Sequence, residues 1–240
     1  MNQYQDVFER YEKKYLLDKE QYEQFLHRIS GDMTVDCYGK TNICNIYFDT
    51  PDYRLIRTSL EKPVYKEKLR MRSYGVPKDS DRVFIELKKK YKGIVYKRRV
   101  DMELREAKNY LYQKKPAKQT SQIVKEIDWF LSYYKEISPE MYISYERIAL
   151  YGNENPNLRV TFDTNILWRQ DMLNLDSGIW GKSLLESGQR LLEIKIPGAM
   201  PMWLADCLDE LKIYPVSFSK YGRAYEQLCE EKRKGVMICA

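Results

Sequence analysis

Histidine is almost absent from this sequence: one residue, His27, stands among 240. It sits beside Leu26 and Ile29 in a helix-like segment and reads as a flank residue. Neither a hydrolase built on a histidine base nor a histidine-cluster metal site is expected. Carboxylates, Lys, Arg and metal are left to carry any chemistry. The five cysteines (Cys37, Cys44, Cys207, Cys229, Cys239) are odd in number and have no CxxC or zinc spacing. They read as reduced thiols of a cytosolic protein. No Ser- or Gly-rich linker and no low-complexity block interrupts the chain, so a single domain over residues 1–240 is expected. No run approaches the ~20 apolar residues that cross a bilayer. Asp6, Glu9, Arg10 and Glu12 break any leader-like stretch. The expected location is cytoplasmic, with recruitment by a membrane-bound partner left open.

Hydrophobic residues make up 43% and charged residues 32%, a globular composition. Lys and Arg exceed Asp and Glu by 41 to 35, for a net charge of +6. That excess fits a polyanionic partner without separating nucleic acid, membrane surface and small phosphates. Tyrosine outnumbers phenylalanine 21 to 7, which suits half-wet strands.

Period-two alternation runs through 7–15, 43–49, 65–73, 82–90, 94–102, 141–150, 158–164 and 190–196. Gly93 marks a tight hairpin, and Gly75-Val-Pro77 a longer one. Helical spacing appears at 18–29, with Asp18 as N-cap, and again at 121–134, 201–212 and about 221–234. Many strands and few helices predict an α+β protein, an antiparallel β-barrel under helical cover. Ile46-Tyr-Phe-Asp-Thr50 is echoed once by Val160-Thr-Phe-Asp-Thr164, too short a match to make a repeat.

Because strand side chains alternate between faces, parity sorts each strand into two sets. Lys68, Arg70 and Arg72 oppose Leu69 and Met71. Glu86, Lys88 and Lys90 oppose Val83, Ile85 and Leu87. Lys97 and Arg99 oppose Ile94, Tyr96 and Val100, with Arg98 on the apolar side. Arg159, Thr161 and Asp163 oppose Leu158, Val160 and Phe162. Glu193 and Lys195 oppose Leu192, Ile194 and Ile196, and Arg10, Glu12 and Lys14 share a face.

Such charged faces look either to solvent around an apolar interior, or inward onto a wet lumen. The amphipathic helices need an apolar surface to cover, which favours the second arrangement. So many cations facing one lumen repel unless an anion binds there. The guest that fits is a polyanion, gripped by Arg forks and Lys point charges. Glu12, Glu86 and Glu193 would suit a divalent cation that keeps water and phosphate oxygens as its other ligands.

Seven motifs then occur in order. They are Arg10-Tyr-Glu-Lys-Lys-Tyr15, Ile46-Tyr-Phe-Asp-Thr50, Lys68-Leu-Arg-Met-Arg-Ser-Tyr-Gly75, Val83-Phe-Ile-Glu-Leu-Lys-Lys-Lys90, Tyr145-Glu-Arg147, Leu192-Glu-Ile-Lys195 and Phe218-Ser-Lys-Tyr221. Over roughly residues 7–225 the set resembles the VTC domain, the polyphosphate polymerase branch of the triphosphate tunnel metalloenzymes (the CYTH-like superfamily). The resemblance implies an eight-stranded tunnel that transfers the γ-phosphate of ATP to a growing polyphosphate. By matching motif it implies Arg70, Arg72, Lys88, Arg147 and Lys220 as catalytic groups. Arg10, Lys14, Lys97, Arg99, Tyr145, Arg159, Lys195 and Ser219 would bind ATP, polyphosphate, pyrophosphate or triphosphate. Glu193, with Glu12, would hold Mn2+ or Mg2+.

Hydrolytic relatives of that superfamily begin Glu-x-Glu-x-Lys, whereas Arg10 replaces the first Glu here. A phosphate-binding cation in that place fits a polymerase. For Glu12, ion pairing is an alternative to metal binding. An inorganic triphosphatase or nucleotide hydrolase on the same tunnel is the alternative enzyme, and a polyphosphate or inositol-phosphate sensor the non-catalytic one. No nucleic-acid motif is present. Asp49 and Asp163 read first as capping or turn residues and second as lumen residues. Trp129, Trp168, Trp180 and Trp203 read as packing groups, and Lys89 as solvated.

Overall fold

The structure, a computed structural model, describes residues 11–92, 94–196 and 198–238. The expected roles of Arg10, of the Gly93 turn and of Cys239 therefore lie outside the described residues. The elements in order are β1 (Tyr11–Leu17), α1 (Lys19–Ile29), β2 (Met33–Asp49), α2 (Arg54–Leu60), β3 (Tyr65–Tyr74), β4 (Arg82–Tyr91), β5 (Ile94–Glu103), α3 (Leu104–Leu111), α4 (Gln122–Tyr134), β6 (Ser138–Gly152), β7 (Arg159–Arg169), β8 (Lys182–Ser183), β9 (Arg190–Ile196), α5 (Met202–Glu210) and α6 (Lys220–Ile238). All eight expected strands and four expected helices form. None of the helices is long and apolar enough to cross a membrane among the described residues.

One sheet runs β1-β9-β7-β6-β2-β3-β4-β5, with β8 on the side of β7, and its pairings are antiparallel. Register shifts between Val35 and Lys40, between Tyr47 and Phe48, and between Ser144 and Glu146 mark irregularities of the kind that bend a sheet. Among the described residues the sheet does not close into the expected eight-stranded barrel. Closure would bring β1 and β5 to a ladder spacing of about 4.8 Å, but among the described residues they are the two edges. What meets across the concavity is side chains: Glu12 on β1 lies in the field of Lys88 on β4. The sheet is a curled trough.

The apolar parity of each strand looks outward, as the pattern predicts. Leu69, Met71, Val83, Ile85 and Leu87 are fully buried beneath Ala107 and Leu111 of α3 and Val124, Ile127 and Phe130 of α4. Val160, Phe162, Leu192 and Ile194 are buried beneath Phe25 and Ile29 of α1 and Leu204 and Leu208 of α5. Asp18 caps α1 in a full capping box with Gln21. A third cluster lies at the other parity. Ile43 and Tyr47 of β2 and Met141, Ile143 and Tyr145 of β6 pack on Phe218, Tyr221, Ala224 and Leu228. Part of the concave face is thus apolar and filled by α6.

Helices α2 and α3 have no strong sequence signal. α2 starts after Tyr53, which is in the left-handed region with φ 59° and lends no side-chain cap. Its cap comes from Asp49 instead, at the end of β2. Asp49 accepts from the amides of Thr50 (2.9 Å), Leu55 (2.8 Å) and Ile56 (3.0 Å) and from the Tyr221 hydroxyl (2.9 Å). Asp49 is the capping residue expected, and it ties β2, α2 and α6 together. Asp49→Ala leaves these buried donors unsatisfied, so unfolding in urea should lose about 2–3 kcal/mol. A loss under about 0.5 kcal/mol would mean the helices are placed by packing alone.

Candidate functional site

The charged faces of the strands converge on the remaining concave surface. At its centre Arg147 of β6 grips Asp163 of β7 with Nε at 2.6 Å and Nη2 at 2.7 Å. The same Nη2 lies 3.2 Å from Glu193 of β9. Lys220, the first residue of α6, places its Nζ 2.5 Å from Asp163 and 2.8 Å from Glu193. Lys14 and Lys195 reach the same Glu193 at 3.6 and 3.7 Å. A cation at a helix N-terminus opposes the helix dipole, and these two buried carboxylates hold it there. Burial alone would raise both acids, but Lys220, Arg147 and their neighbours outweigh it and leave both below the ordinary range. Burial alone would likewise lower Lys220, yet Asp163 and Glu193 hold it above its ordinary value.

A second centre surrounds Glu86 of β4, which is almost wholly buried. Arg70 donates to it at 2.7 Å, Arg99 at 2.7 Å, and Lys97 lies at 2.8 Å. Burial raises Glu86, but Arg70, Arg72, Lys97 and Arg99 carry it far below the usual carboxylate range. Between the two centres, Arg72 donates to the Tyr145 hydroxyl at 2.8 Å and to Asn45 Oδ1 at 3.0 Å. Lys220 and Arg147 lie over the Tyr145 ring at 4.6 and 5.1 Å. Burial raises this phenol, and Arg72, Arg147 and Lys220 more than reverse the effect.

A stripe of lysines completes the surface. Burial, then the charges of Lys66, Lys88 and Lys14, lower Lys68 to about 7. Burial lowers Lys97 to about 8, the attraction of Glu86 notwithstanding. Burial also dominates at Lys88 and Lys195, both below the ordinary lysine value. Lys88 is open to water, so its shift reflects the walls around it, which replace much of its bulk hydration. The trough thus holds Lys14, Lys68, Arg70, Arg72, Lys88, Lys97, Arg99, Arg147, Lys195 and Lys220 against Glu12, Glu86, Asp163 and Glu193. The resident carboxylates do not neutralise it.

Two expected residues stand apart. Arg159 is exposed at the start of β7, with its guanidinium 5.9 Å over the Tyr151 ring, and joins none of the trough's ion pairs. Ser219 accepts from the amide of Gly222 at 3.1 Å and lies 3.4 Å from Lys68 Nζ, so it caps α6 beside the trough. Asp163 corrects its first reading: it caps no turn but anchors the central knot. Lys89 is not free in solvent; it pairs with Glu126 of α4 at 3.5 Å. Asn45 and Tyr47, which orient Arg72 and Arg70, carry the trough-facing parity of β2, a signal too weak to find them alone.

The donors for a metal are two carboxylates. Burial and the Glu193 charge would raise Glu12, but Lys14, Lys88 and Lys195 outweigh them and leave it below the ordinary range; Lys14 stands between the two carboxylates at 3.3 and 3.6 Å. No group of three His, Cys, Asp or Glu side chains is gathered among the described residues. Such a pair fits an ion that completes its shell with phosphate oxygens and water, as Mg2+ and Mn2+ do. It does not fit an all-protein cage. Glu86, enclosed by three cations, is poorly placed for the same task.

The VTC domain family model matches residues 9–229. No curated protein sequence matches the chain. A candidate adenylate cyclase from Bacillus halodurans shares the fold with a TM-score of 0.55 at 16% identity, over 89% of this chain and 95% of that one. A candidate adenylyl cyclase from Hippeastrum, described as having a dominant triphosphatase activity, superposes with a TM-score of 0.54 at 15% identity, over 89% and 94%. At these identities the likeness shows the shared fold.

Glu86→Gln leaves Arg70, Arg99 and Lys97 facing one another without their anion. A loss of about 3 kcal/mol of stability at neutral pH is expected, partly recovered on adding tripolyphosphate. The sign in pH follows from the depressed folded-state pKa. The Glu86 contribution is complete above the unfolded pKa of about 4.3 and fades as pH falls below it. In urea titrations the gap between the two proteins should therefore begin to narrow as pH falls below about 4 and shrink steadily from there. A constant gap from neutral to acid pH would contradict the ionic assignment.

Proposed function

The chain belongs to the VTC domain family, and on that footing we propose that it is a polyphosphate polymerase, using the trough to move the γ-phosphate of ATP onto a growing chain. The observation that carries this reading is the surplus of cations. Lys68, Lys88, Lys97 and Lys195 sit below their ordinary proton affinity because the walls of the trough displace their hydration and too few carboxylates stand beside them. A line of phosphates would supply the missing negative charge.

Arg70, Arg72, Arg147 and Lys220 would hold the triphosphate at the centre, where each is already oriented by a hydrogen bond or ion pair. Burial works against the charge of Lys220, but Asp163 and Glu193 raise its affinity and keep it protonated, and the Arg147 guanidinium is charged in any case. Lys14, Lys68, Lys88 and Lys195 would guide the chain. A terminal oxygen of the chain attacks the γ-phosphorus. The bond from that phosphorus to the β–γ bridging oxygen breaks, and its electron pair leaves with ADP. The nucleophile is already an anion and needs no base, which agrees with a chain that has one histidine. Rate then comes from alignment and from fixed positive charge. Glu193 and Glu12 would hold a divalent ion, Mn2+ or Mg2+, which would supply further positive charge against the phosphates.

Triphosphate hydrolysis is the second reading, favoured by Glu12, whose partly exposed carboxylate at the trough's edge could position a water, and by the activity described for the Hippeastrum neighbour. Incubation with ATP and Mn2+ or Mg2+, read on a gel and by phosphate release, separates them. Long chains are expected; phosphate alone would favour the hydrolase, and tight binding without turnover the sensor. Glu193→Gln should abolish metal-dependent turnover and keep tripolyphosphate affinity within a few-fold. Full turnover in that variant would remove Glu193 from the metal site.

Binding should also take up protons. At about pH 8, where the phosphates are fully ionised and Lys68 and Lys97 are partly neutral, an incoming polyanion raises both lysines. Calorimetry of tripolyphosphate binding in buffers of different ionisation enthalpy should show net uptake, and affinity should fall as pH rises beyond about 8. Proton release at that pH would argue against these two lysines as ligands.

A further inference from the structure

The ladder between β1 and β9 sets four charged side chains of the trough face in a checkerboard. Glu12 stands directly opposite Lys195, and Lys14 directly opposite Glu193. Each carboxylate is therefore diagonal to the other and neighbours both lysines. Lys14 is the corner that reaches both acids, with its Nζ 3.3 Å from Glu12 and 3.6 Å from Glu193. It also donates to the Phe218 carbonyl at 3.0 Å. An ammonium has three donors, and these three acceptors match them in number. Lys195, at the other corner, pairs with Glu193 at 3.7 Å.

Glu12 and Glu193 are also the pair that fits a divalent ion, and the charge around them leaves a free ion little to gain. Arg147 and Lys220 crowd Glu193 at 3.2 and 2.8 Å, and both pair with Asp163. Lys14, Lys195, Arg147 and Lys220 thus face Glu12, Asp163 and Glu193, four positive charges against three negative. A bare divalent cation entering that group adds to an excess of its own sign. The same ion bound to tripolyphosphate arrives with net negative charge and is attracted. Phosphate oxygens serve both sides of the exchange, because they accept from a lysine and complete the shell of the ion.

We propose that Lys14 is the resident counter-ion of the Glu12–Glu193 pair, keeping the pair closed to a free divalent ion and opening it when phosphate draws the ammonium away. Lys14 then does more than guide a chain: it decides in which form the metal is accepted, as a triphosphate complex rather than as the free ion. Phosphate thereby raises the affinity of the pair for the ion, and the coupling is reciprocal. This assignment rests on the reading of the trough as a phosphate site with Glu12 and Glu193 as its metal donors.

The test follows Mn2+ binding to the full chain without phosphate, by loss of the free-ion signal in electron paramagnetic resonance, so that no turnover enters. Lys14→Gln should bind Mn2+ at least about ten-fold more tightly than wild type, the repulsion of a single and a double charge about 6 Å apart even at the dielectric of water. Lys14→Met serves in the same comparison should the Gln variant fold poorly. Lys14→Arg, which keeps the charge, and Lys97→Gln, which removes one beside Glu86, should both stay within about three-fold of wild type. Adding Glu193→Gln to Lys14→Gln should abolish the gain. Unchanged Mn2+ affinity on losing the Lys14 charge, an equal gain in Lys97→Gln, or a gain that survives Glu193→Gln overturns the proposal. With tripolyphosphate equimolar to the protein, wild type should retain on ultrafiltration Mn2+ that it loses without it. No such gain, although tripolyphosphate itself binds, overturns the opening by phosphate. If wild type binds no tripolyphosphate in EDTA while Lys14→Gln still tightens Mn2+, the counter-ion role stands and the trough reading falls.

Discussion

Lys220, buried between Asp163 and Glu193, is the contact on which the remaining geometry depends. Its helix begins at that residue, so the ion pairs fix where α6 enters the concave side of the sheet. The same carboxylates receive Arg147 from β6. Three strands and a helix from distant parts of the chain are thereby joined at one point. Two unit charges 4 Å apart interact by about 4 kcal/mol at an effective dielectric of 20, so each missing partner would leave a charge that nothing else nearby neutralises. The desolvation cost of the knot offsets much of that attraction. Its value to the protein is therefore mainly placement.

The same balance explains why the sheet is inside out. Outward apolar faces are covered by α1, α3, α4 and α5, which frees the inner face to be charged. Each inner carboxylate is shared among several cations, and the cations still outnumber them. Burial and mutual repulsion register the surplus in the lowered lysines and in nothing else, since guanidinium groups do not deprotonate in proteins. An empty trough therefore stores unfavourable charge density that a polyanion relieves. On the proposed reading, affinity for phosphate chains would follow from this one arrangement.

How much of this was written in the sequence depends on the range over which each signal acts. Parity is local, and it sorted Leu69 from Arg70 and Ile194 from Glu193 without knowledge of the fold. The capping box at Asp18 is local too, and α1 begins where it says. Closure is a property of the whole sheet, and alternation along single strands carries no record of whether β1 reaches β5. Asp163 and Asp49 stand in matching Phe-Asp-Thr motifs yet do opposite things. Asp49 ends its strand beside free helix amides, whereas Asp163 faces Arg147 across a ladder. α2 was illegible because its cap is five residues upstream. The part of the concave face taken by α6 was hidden because helical periodicity does not say which sheet face a helix covers.

That occupied part has a consequence for the charged remainder. Tyr221 accepts no charge itself, but its hydroxyl donates to Asp49 and its ring stacks on Tyr47 at 4.6 Å and 21°. The Tyr47 hydroxyl in turn accepts from Arg70 at 3.3 Å. The apolar filling of the trough and Arg70 are thus linked through two aromatic rings, with an acid that caps α2 at the far end. Arg70 has long side-chain freedom to lose, on the order of 2 kcal/mol if it were immobilised by the ligand alone. Glu86 and the Tyr47 hydroxyl restrict that freedom during folding, so on the proposed reading a phosphate would meet a guanidinium already oriented. The packing of α6 is in this sense part of the binding surface, although none of its apolar residues touches the charged path.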